Sequence, residues 1–464
     1  MSRIAWICAL CTVILAGDAH AARIGEVLDA GVWEQALRFL RLEDTTVKLA
    51  LGGSVLLGIT CGLLGSFLVV RKLALVGDVL SHAVLPGVTA GFLWNLTKDP
   101  VAIFIGATVA GLFGTMVVSW ITHTTKLKED TAMALVLAVF FGVGLVLMGI
   151  IQQLPDANKS GIDKTFFGQA AALSGSDVKF MGGVAAATIL LLTVFYKELL
   201  VTSFDAVFAR TIGIRVAWVH YSFMFLLSAA VVVALQAVGV VLVSAMLITP
   251  AATAYLLTNR MHKMVVLSAV IGVVAGTVGA FLSFLGSNLP TGPCMVITAS
   301  TLFGAALLFS PLHGVVPRWA RRTVRMRRSR RENMLKAIYQ ISESDGHVRD
   351  LVNTGELATH RKLPPTQVSH EIAGLAAAGL VIFEQDRSSF QLTAEGRRQA
   401  ETVVRNHRLW ELYLTERANF RADHVHEDAE EIEHVLGEET VRLLERRLGY
   451  PERDPHGKTI PRPQ

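Results

Sequence analysis

The chain has 464 residues, of which 52% are hydrophobic and 17% are charged, and its formal net charge is +5. The charge is divided unevenly, because residues 1–317 hold 33 charged residues and the shorter segment 318–464 holds 48. A soluble domain usually has about 25% charged residues. The first part is therefore too poor in charge to be a soluble globule, and the second is too rich in charge to lie in lipid. A wholly soluble enzyme and a wholly membrane-embedded protein are both excluded.

The first 21 residues have the pattern of a secretory signal peptide. Arg3 supplies a minimal positive charge, Ile4–Ala16 is an apolar stretch, and Ala19-His20-Ala21 matches a small-x-small cleavage site. The apolar stretch is too short to cross the roughly 30 Å of hydrocarbon in a bilayer. An uncleaved anchor is the alternative interpretation. Residues 22–47 are expected to form an extracytoplasmic N-terminal segment.

Nine apolar runs of membrane-spanning length come next. Their approximate ranges are 48–70, 74–96, 101–122, 131–151, 178–196, 216–235, 237–257, 264–286 and 293–312. The short loops indicate the orientation, because Lys and Arg collect on the cytoplasmic side. With the mature N-terminus outside, the inner loops carry nine such residues and the outer loops carry three or four. The sequence thus predicts a multi-pass protein of a bacterial inner membrane, with its charged C-terminal part in the cytoplasm.

The second predicted span contains ionisable side chains, which cost about 2.5–3.5 kcal/mol each at the centre of a span on insertion scales. Asp78, Ser81 and His82 are spaced i, i+3 and i+4, so all three share one helix face. A carboxylate and an imidazole on one face can together hold a divalent transition metal. The alternative is a mutual hydrogen bond that only packs helices. Pro86 is expected to kink this helix and to open backbone carbonyls towards a cavity.

The membrane part resembles the permease subunits of ABC transporters for zinc, manganese and iron. The matching stretches are Gly77–Gly87 (GDVLSHAVLPG), Lys128–Met133 (KEDTAM), Phe166–Gln169 (FFGQ), Leu247–Ala254 (LITPAATA) and Leu289–Pro293 (LPTGP). They are spread over almost the whole membrane part. The resemblance implies that Asp78 and His82, with Ser81 beside them, line the pathway of a transported Mn²⁺, Fe²⁺ or Zn²⁺ ion.

The inner loop Phe204–Gly213 (FDAVFARTIG) resembles the coupling segment of the same family. The resemblance implies that Asp205, Arg210 and Gly213 dock on a nucleotide-binding subunit; an ordinary interfacial amphipathic turn is the alternative. The chain contains no GxxxxGK[ST] loop, so ATP hydrolysis is expected on a separate ATPase subunit and no enzymatic activity is expected here. The other implied partners are an extracytoplasmic metal-binding protein and a second permease, identical or different.

An Arg-rich run follows the last span, with eight arginines between Arg318 and Arg331. A positive-inside stop, contact with membrane lipid, a solvated linker and contact with DNA phosphates are all compatible with it. Without these eight, the C-terminal part has 17 basic and 23 acidic residues. It also holds eight of the 14 histidines of the chain. This balance suits a metal sensor better than an indiscriminate DNA binder.

Residues 332–396 have the element order of a winged helix-turn-helix. The predicted elements are helices at Glu332–Ser342, Glu356–Leu363 and Thr366–Ala378, and a hairpin from Val381–Phe383 and Phe390–Leu392. The second helix of such a pair enters the major groove with its N-terminal residues, which can hydrogen-bond bases or phosphates. Here those residues are Thr366, Gln367, Ser369 and His370. Winged helices also serve as protein-contact modules, so both uses remain open.

Residues 397–464 carry His and carboxylate residues at helical spacing. The sets are His407 with Glu411, His426 with Glu430, and Glu430 with Glu433 and His434. Each set lies on one face of a predicted helix, and such sets suit Mn²⁺, Fe²⁺ or Zn²⁺. A solvated acidic helix is the alternative.

Residues 332–464 resemble the diphtheria-toxin-repressor-like family of iron- and manganese-dependent regulators. The matching stretches are Asn406–Glu411 (NHRLWE), Val425–Ala429 (VHEDA), Glu433–Val435 (EHV) and Asp454–Pro461 (DPHGKTIP). The resemblance implies that metal bound between the winged helix and the dimerisation helices fixes the DNA-binding posture. It assigns ligand roles to His407, Glu411, His426, Glu430, Glu433 and His434. Asn333 and Lys336 depart from the family, whose first helix usually supplies ligands there, so one metal site is expected to be incomplete or weakly occupied.

The expected fold is an all-α polytopic membrane protein of about nine transmembrane helices, followed by a cytoplasmic winged helix-turn-helix and an α-helical metal-binding and dimerisation domain. The expected divisions are 1–21, 22–47, 48–313, the Arg-rich linker 314–331, 332–396 and 397–464. The expected function is metal import by the spans, with a metal-sensing domain that represses genes at operator DNA, either tethered or after proteolytic release. The alternative is that this domain gates transport in cis. An exporter is a third possibility, which the importer-type coupling segment disfavours.

Overall fold

The computed structural model describes residues 32–42, 44–95, 100–153, 173–286, 289–344, 351–384, 388–417 and 437–462. The chain divides into two units, Met1–Val315 and Val316–Gln464. This border lies within the segment 314–331, which the charge distribution identifies as the junction. The expected signal peptide lies outside the described residues.

The described secondary-structure elements of the first unit are all helices. Its helices are α1 Val32–Arg41, α2 Thr45–Val70, α3 Ala74–Ala83, α4 Leu85–Asn95, α5 Pro100–Thr124, α6 Glu129–Gln153, α7 Gly175–Val194, α8 Tyr196–Phe204, α9 Ala206–Thr211, α10 Val216–Val238, α11 Val240–Leu257, α12 Met261–Leu285 and α13 Thr291–Phe309. Nine segments within the described ranges are long and apolar enough to cross a membrane, α3 and α4 together counting as one. The predicted number of spans is confirmed. Gly239 divides the long run between α10 and α11 with a φ of +86°, which glycine adopts readily.

The first span packs against α12 with the two backbones in contact. A Cβ atom on Gly58 would lie 2.4 Å from the carbonyl carbon of Gly272, and the Ser268 hydroxyl donates a 2.7 Å hydrogen bond to the carbonyl of Gly62. Small residues let membrane helices approach this closely. The contact places α2 in the interior of the bundle, where Leu64 and Phe67 are fully buried.

The second unit combines helices with a small sheet. Its elements are α14 Val315–Ser344, β1 Val352–Asn353, α15 Thr354–Arg361, α16 Pro365–Ala377, β2 Val381–Phe383, β3 Ser389–Leu392, α17 Ala394–Glu416 and α18 Glu438–Arg447. The antiparallel strands have the order β1-β3-β2, and Phe383 and Val352 both pair with Phe390. Leu335, Ile338, Val368 and Ile372 are buried in the core beneath this sheet.

The element order differs from the prediction in two places. The Arg-rich run, expected to be a linker, is helical and belongs to α14, because arginine is a good helix former and no glycine or proline follows Pro317 within this helix. A 2.7 Å ion pair between Arg328 Nε and Glu332 Oε1, one turn apart, supports this helix. The strand β1 was not predicted, because a strand of two residues is too short to show the alternation of apolar and polar residues that indicates a strand.

The helices of the predicted helix-turn-helix are present with shifted ends. The first ends at Arg361 and is closed by Lys362 in the left-handed conformation, with a φ of +52°. The second begins at Pro365, since proline is tolerated in the first turn of a helix, where its missing N–H is not needed. Gly379 follows with a φ of +71°, as expected for the residue that closes a helix.

The close contact between α2 and α12 predicts that Gly58→Ala destabilises the membrane unit by about 1–3 kcal/mol, because the added methyl group meets the backbone of α12. Gly142→Ala is the matched control, since a Cβ atom there meets nothing within 4 Å. Thermal unfolding of the two purified variants in one detergent measures the difference. Equal midpoints would contradict the packing argument.

Candidate functional site

The second span is interrupted two residues after His82 and six residues after Asp78. Helix α3 ends at Ala83 and α4 begins at Leu85, so the interruption lies at Val84, two residues before the proline that was expected to kink the span. Pro86 has no N–H to offer to the carbonyl of His82 one turn earlier. Gly87 packs against α5 so closely that a Cβ atom there would lie 2.1 Å from the Gly106 carbonyl oxygen. The interruption is thus held in place by a neighbouring span.

Asp78 and His82 lie side by side on α3 without a hydrogen bond between them. Asp78 Oδ1 and His82 Nε2 are 3.8 Å apart, beyond hydrogen-bond distance. The buried His82 Nδ1 has no hydrogen-bond partner among the described residues, and the ring meets Phe141 of α6 edge-on at 4.8 Å. This geometry disfavours a pair that only packs helices. Metal–ligand bonds of about 2.0–2.2 Å to each atom fit across the 3.8 Å gap, so one ion can contact both.

Ser81 shares the predicted face, but its hydroxyl is already engaged. The side chain is fully buried and donates a 2.8 Å hydrogen bond to the carbonyl of Asp78 in its own helix. The structure therefore brings Asp78 and His82 together and turns Ser81 towards the backbone. Roles of all three residues in a metal pathway stay predictions.

The predicted coupling segment forms the short helix α9 and the turns around it. The Asp205 carboxylate caps this helix by accepting hydrogen bonds from the backbone N–H groups of Val207 (3.0 Å) and Phe208 (2.8 Å). Gly213 closes the segment with a φ of +90°. The apolar side chains of the segment are exposed in this chain, and they are Phe204, Val207, Phe208 and Ile212. Exposed apolar groups in a contiguous patch are typical of a contact surface for another protein.

Arg71 joins the end of the first span to the helix that precedes the coupling segment, a role that the sequence pattern did not reveal. Its Nε and Nη2 atoms donate hydrogen bonds to Ser203 Oγ (2.8 Å) and Thr202 Oγ1 (3.1 Å) of α8. Its guanidinium also lies 4.8 Å from the centre of the Phe223 ring. Burial lowers the pKa of Arg71 to about 10, so the side chain is charged at neutral pH. In the sequence, this role was indicated only by the position of Arg71 in a predicted inner loop.

A cavity of about 590 Å³ extends from the coupling segment to α3. Arg71, Ala206 and Arg210 line it on one side, and Val76 and Val79, which flank Asp78 in the chain, line it on another. A displacement of α9 therefore changes the walls of a space that also borders α3, the helix that carries the candidate metal residues.

The predicted regulatory ligands are only partly within the described residues. His407 and Glu411 are buried on α17, with His407 Nε2 3.1 Å from Glu411 Oε1. His426, Glu430, Glu433 and His434 lie outside the described ranges. Within those ranges, no group of three or more His, Cys, Asp or Glu side chains is arranged to hold a metal ion. All six ligand roles stay predictions.

Arg408 is a buried residue whose role no sequence pattern indicated. It forms a bidentate pair with the Glu343 carboxylate of α14, and its Nε lies 3.4 Å from Asp454 Oδ2 in the C-terminal stretch. Asp454 also accepts hydrogen bonds from the backbone N–H groups of His456 (2.9 Å) and Lys458 (2.8 Å). The DPHGKTIP stretch thus forms a turn that positions a carboxylate against Arg408.

The residues predicted to contact DNA lie in the first turns of α16. Thr366, Ser369 and His370 are exposed, whereas Gln367 is half-buried and donates a 3.2 Å hydrogen bond to Glu371. The Ser369 hydroxyl donates to the carbonyl of Pro365. The exposed N-terminal end of this helix is compatible with groove contacts, which stay a prediction.

In the part of the chain that the structure describes, nine candidate spans are present, and the second holds a carboxylate and an imidazole. This is the make-up of a membrane transport subunit. Comparison with known families specifies which kind. The profile of the ABC 3 transport family matches residues 43–310, more than half of the chain, so the chain belongs to this family. The profile of the iron dependent repressor, metal binding and dimerisation domain matches residues 393–462.

Individual relatives agree with the assignment to the transport family. The manganese transport system membrane protein MntC of Bacillus subtilis (strain 168) is 35% identical over 425 residues, which cover 89% of this chain and 95% of MntC. The zinc transport system membrane protein TroC of Treponema pallidum (strain Nichols) is 37% identical over 282 residues, or 61% of this chain and 95% of TroC. The solved structure of PsaBC from Streptococcus pneumoniae in complex with Fab has 36% identity and a TM-score of 0.54, and covers 60% of this chain and 97% of that chain.

The contacts of Arg71 predict that Arg71→Met loosens α8, because two charge-assisted hydrogen bonds to Thr202 and Ser203 are lost. Backbone hydrogen exchange in residues 196–204 should become about tenfold faster. Lys72→Met is the matched control, because Lys72 is adjacent in the chain and exposed. Exchange that is equally fast in both variants would show that α8 is held by other contacts.

Proposed function

We propose that this chain is the permease subunit of an ABC importer that carries a divalent transition metal ion, Mn²⁺, Fe²⁺ or Zn²⁺, into the cell. The single observation that carries the proposal is the Asp78–His82 pair, held 3.8 Å apart inside a span. A carboxylate oxygen and an imidazole nitrogen are donors that suit these three ions. The manganese and zinc transport relatives support the same substrate class.

The metal pathway in this proposal is completed by a second permease subunit. Two donors leave most coordination positions of a transition metal to water, backbone carbonyls or another chain. The side chain of Asp78 is 41% exposed in the isolated chain. A carboxylate that faces lipid is costly, so we expect this surface to face water or a second permease.

ATP hydrolysis takes place on a separate subunit in this proposal. That subunit docks on the coupling segment through the exposed Phe204, Val207, Phe208 and Ile212. Its motion reaches the spans by two contacts, the hydrogen bonds of Arg71 to α8 and the cavity that Arg210 shares with Val76 and Val79. An extracytoplasmic metal-binding protein delivers the ion to the opposite face. The charges of the loops support a cytoplasmic C-terminal unit, and the bacterial permease relatives support a location in the bacterial inner membrane.

This proposal predicts that Asp78→Ala and His82→Ala abolish metal uptake while the protein still inserts into the membrane, because each variant removes one of two donors. Uptake of radioactive Mn²⁺ and Zn²⁺ into cells that express the transporter measures the effect, and membrane fractionation measures insertion. His262→Ala, an exposed histidine at the start of α12, should leave uptake unchanged. Uptake at the wild-type rate in either pathway variant would remove the assignment.

The C-terminal unit is proposed to sense metal and to bind operator DNA. The match to the metal-binding and dimerisation domain supports the first role. The exposed N-terminal turns of α16, with Thr366, Ser369 and His370, support the second.

A second candidate is that the C-terminal unit gates transport in cis. The continuous α14 favours it, because the Arg-rich run and the first helix of the C-terminal core form one helix with no flexible residues between them. A displacement of that core would therefore be transmitted along the helix.

The DNA-binding proposal predicts that purified residues 332–464 retard duplex DNA, selected from a random pool, only in the presence of Mn²⁺. Gln367→Ala should weaken the selected complex about tenfold, since one base contact is worth about 1–3 kcal/mol. Gln399→Ala, on α17, is the matched control. If no metal-dependent complex forms, and deletion of residues 332–464 instead changes the inhibition of uptake by metal, the cis-gating candidate replaces this one.

A further inference from the structure

A buried lysine lies beside His407 and Glu411. Lys336 of α14 is 3% exposed, and so are both residues of α17. The Lys336 Nζ atom lies 3.1 Å from His407 Nδ1, and His407 Nε2 lies 3.1 Å from Glu411 Oε1. Lys336 and His407 are 71 positions apart in the chain. The three side chains form one line of contacts from α14 to α17.

The chemistry of the three groups sets the direction of both hydrogen bonds. A protonated lysine has three donors and no acceptor, so the Nδ1 lone pair of His407 accepts. The ring of a neutral histidine then carries its proton on Nε2, and that proton is donated to the Glu411 carboxylate. Both ring nitrogens of His407 are therefore engaged.

A metal ion between α14 and α17 does not fit these residues. A histidine ligand binds metal through the lone pair of a ring nitrogen, and here one lone pair accepts from Lys336 while the other nitrogen is a donor. The ammonium group of Lys336 also stands where a ligand from the first helix would have to be, and it repels a second cation. Among these three described groups, the Lys336 ammonium and the Glu411 carboxylate have opposite charges and lie at the two ends of the line.

A second ion pair joins the same two helices. Arg408, next to His407 in the chain, forms its bidentate pair with Glu343, about two turns along α14 from Lys336. Helix α14 thus contributes the cation of one pair and the anion of the other, and α17 does the same with Arg408 and Glu411. The described charges of the joint between α14 and α17 are complementary without an added ion.

We infer that the Lys336 ammonium takes the place of a metal ion at the joint between α14 and α17, so that this joint is closed whether or not metal is present. Any metal response of the C-terminal unit then originates away from this joint. The inference rests on the family assignment of that unit and not on the transport role of Asp78 and His82. Uptake measured in cells that express the same variants separates the failure of one from the failure of the other.

Hydrogen exchange of the full chain in lipid nanodiscs tests the inference. The segments to follow are residues 332–344 of α14 and 400–416 of α17, first in excess EDTA and then in excess Mn²⁺. In the wild-type protein, protection of both segments should be the same in the two conditions. Lys336→Met keeps most of the side-chain volume and removes the charge, so exchange in EDTA should become about a hundredfold faster, because Glu411 is left buried without its counter-charge.

Two further variants make the test specific. Lys336→Glu adds a carboxylate beside His407 and Glu411, so its protection should be low in EDTA and should be restored by Mn²⁺. Arg331→Glu makes the same charge reversal at an exposed position of α14 and should behave as wild type in both conditions. The inference is overturned if EDTA reduces the protection of the wild-type segments to the level of Lys336→Met, or if Lys336→Met is protected as well as the wild type.

Discussion

Hydrocarbon offers no hydrogen bonds, and this constraint accounts for most of the membrane unit. Every span is a helix, so its backbone groups bond within the segment. Many hydroxyls in the described spans follow the same rule, as when Ser54 and Thr60 each donate to a carbonyl one turn earlier. Asp78 and His82 differ, because their polar atoms are neither paired with each other at hydrogen-bond distance nor turned to the backbone. Thr108 Oγ1 and Gln236 Oε1 are also buried without a partner among the described residues, but Asp78 and His82 place a carboxylate and an imidazole side by side on one helix.

The same constraint explains why charged side chains form stabilising contacts at the ends of the spans, where hydrocarbon gives way to water. Arg71 lies one residue beyond the first span, where its guanidinium can be half-buried and still reach the hydroxyls of Thr202 and Ser203. A long side chain with five donors in a fixed plane can strengthen the contact between two such segments. The coupling segment begins at the residue after Ser203, so Arg71 holds the residues that directly precede the segment on which an ATPase subunit is proposed to dock.

The C-terminal unit stabilises its buried charges by placing partners of opposite sign close to them. Removing a charge from water is costly unless a partner of opposite sign is close and well placed. Lys336 and Arg408 both meet this requirement, one through His407 and the other directly through Glu343. In a domain of a metal-binding family, a lysine can thus supply the positive charge that holds two helices together. A lysine side chain, unlike a bound metal ion, cannot dissociate into solution. The joint between α14 and α17 is therefore closed independently of the metal supply.

The sequence by itself determined the features that depend on local order along the chain. Nine spans follow from the length of apolar runs, because bilayer thickness sets that length, and Asp78 and His82 share a face because a helix repeats every 3.6 residues. The helix order around Pro365 and Gly379 follows from the backbone limits of those two residues. Only the tertiary structure decided the contacts between distant segments: the approach of Gly58 to Gly272, the bonds of Arg71 to α8, and the line from Lys336 to Glu411. No local period encodes these contacts, because each depends on how two helices far apart in the chain are placed against one another. The lysine at position 336 was visible in the sequence as a departure from a family, and only its distance from His407 gave that departure a physical meaning.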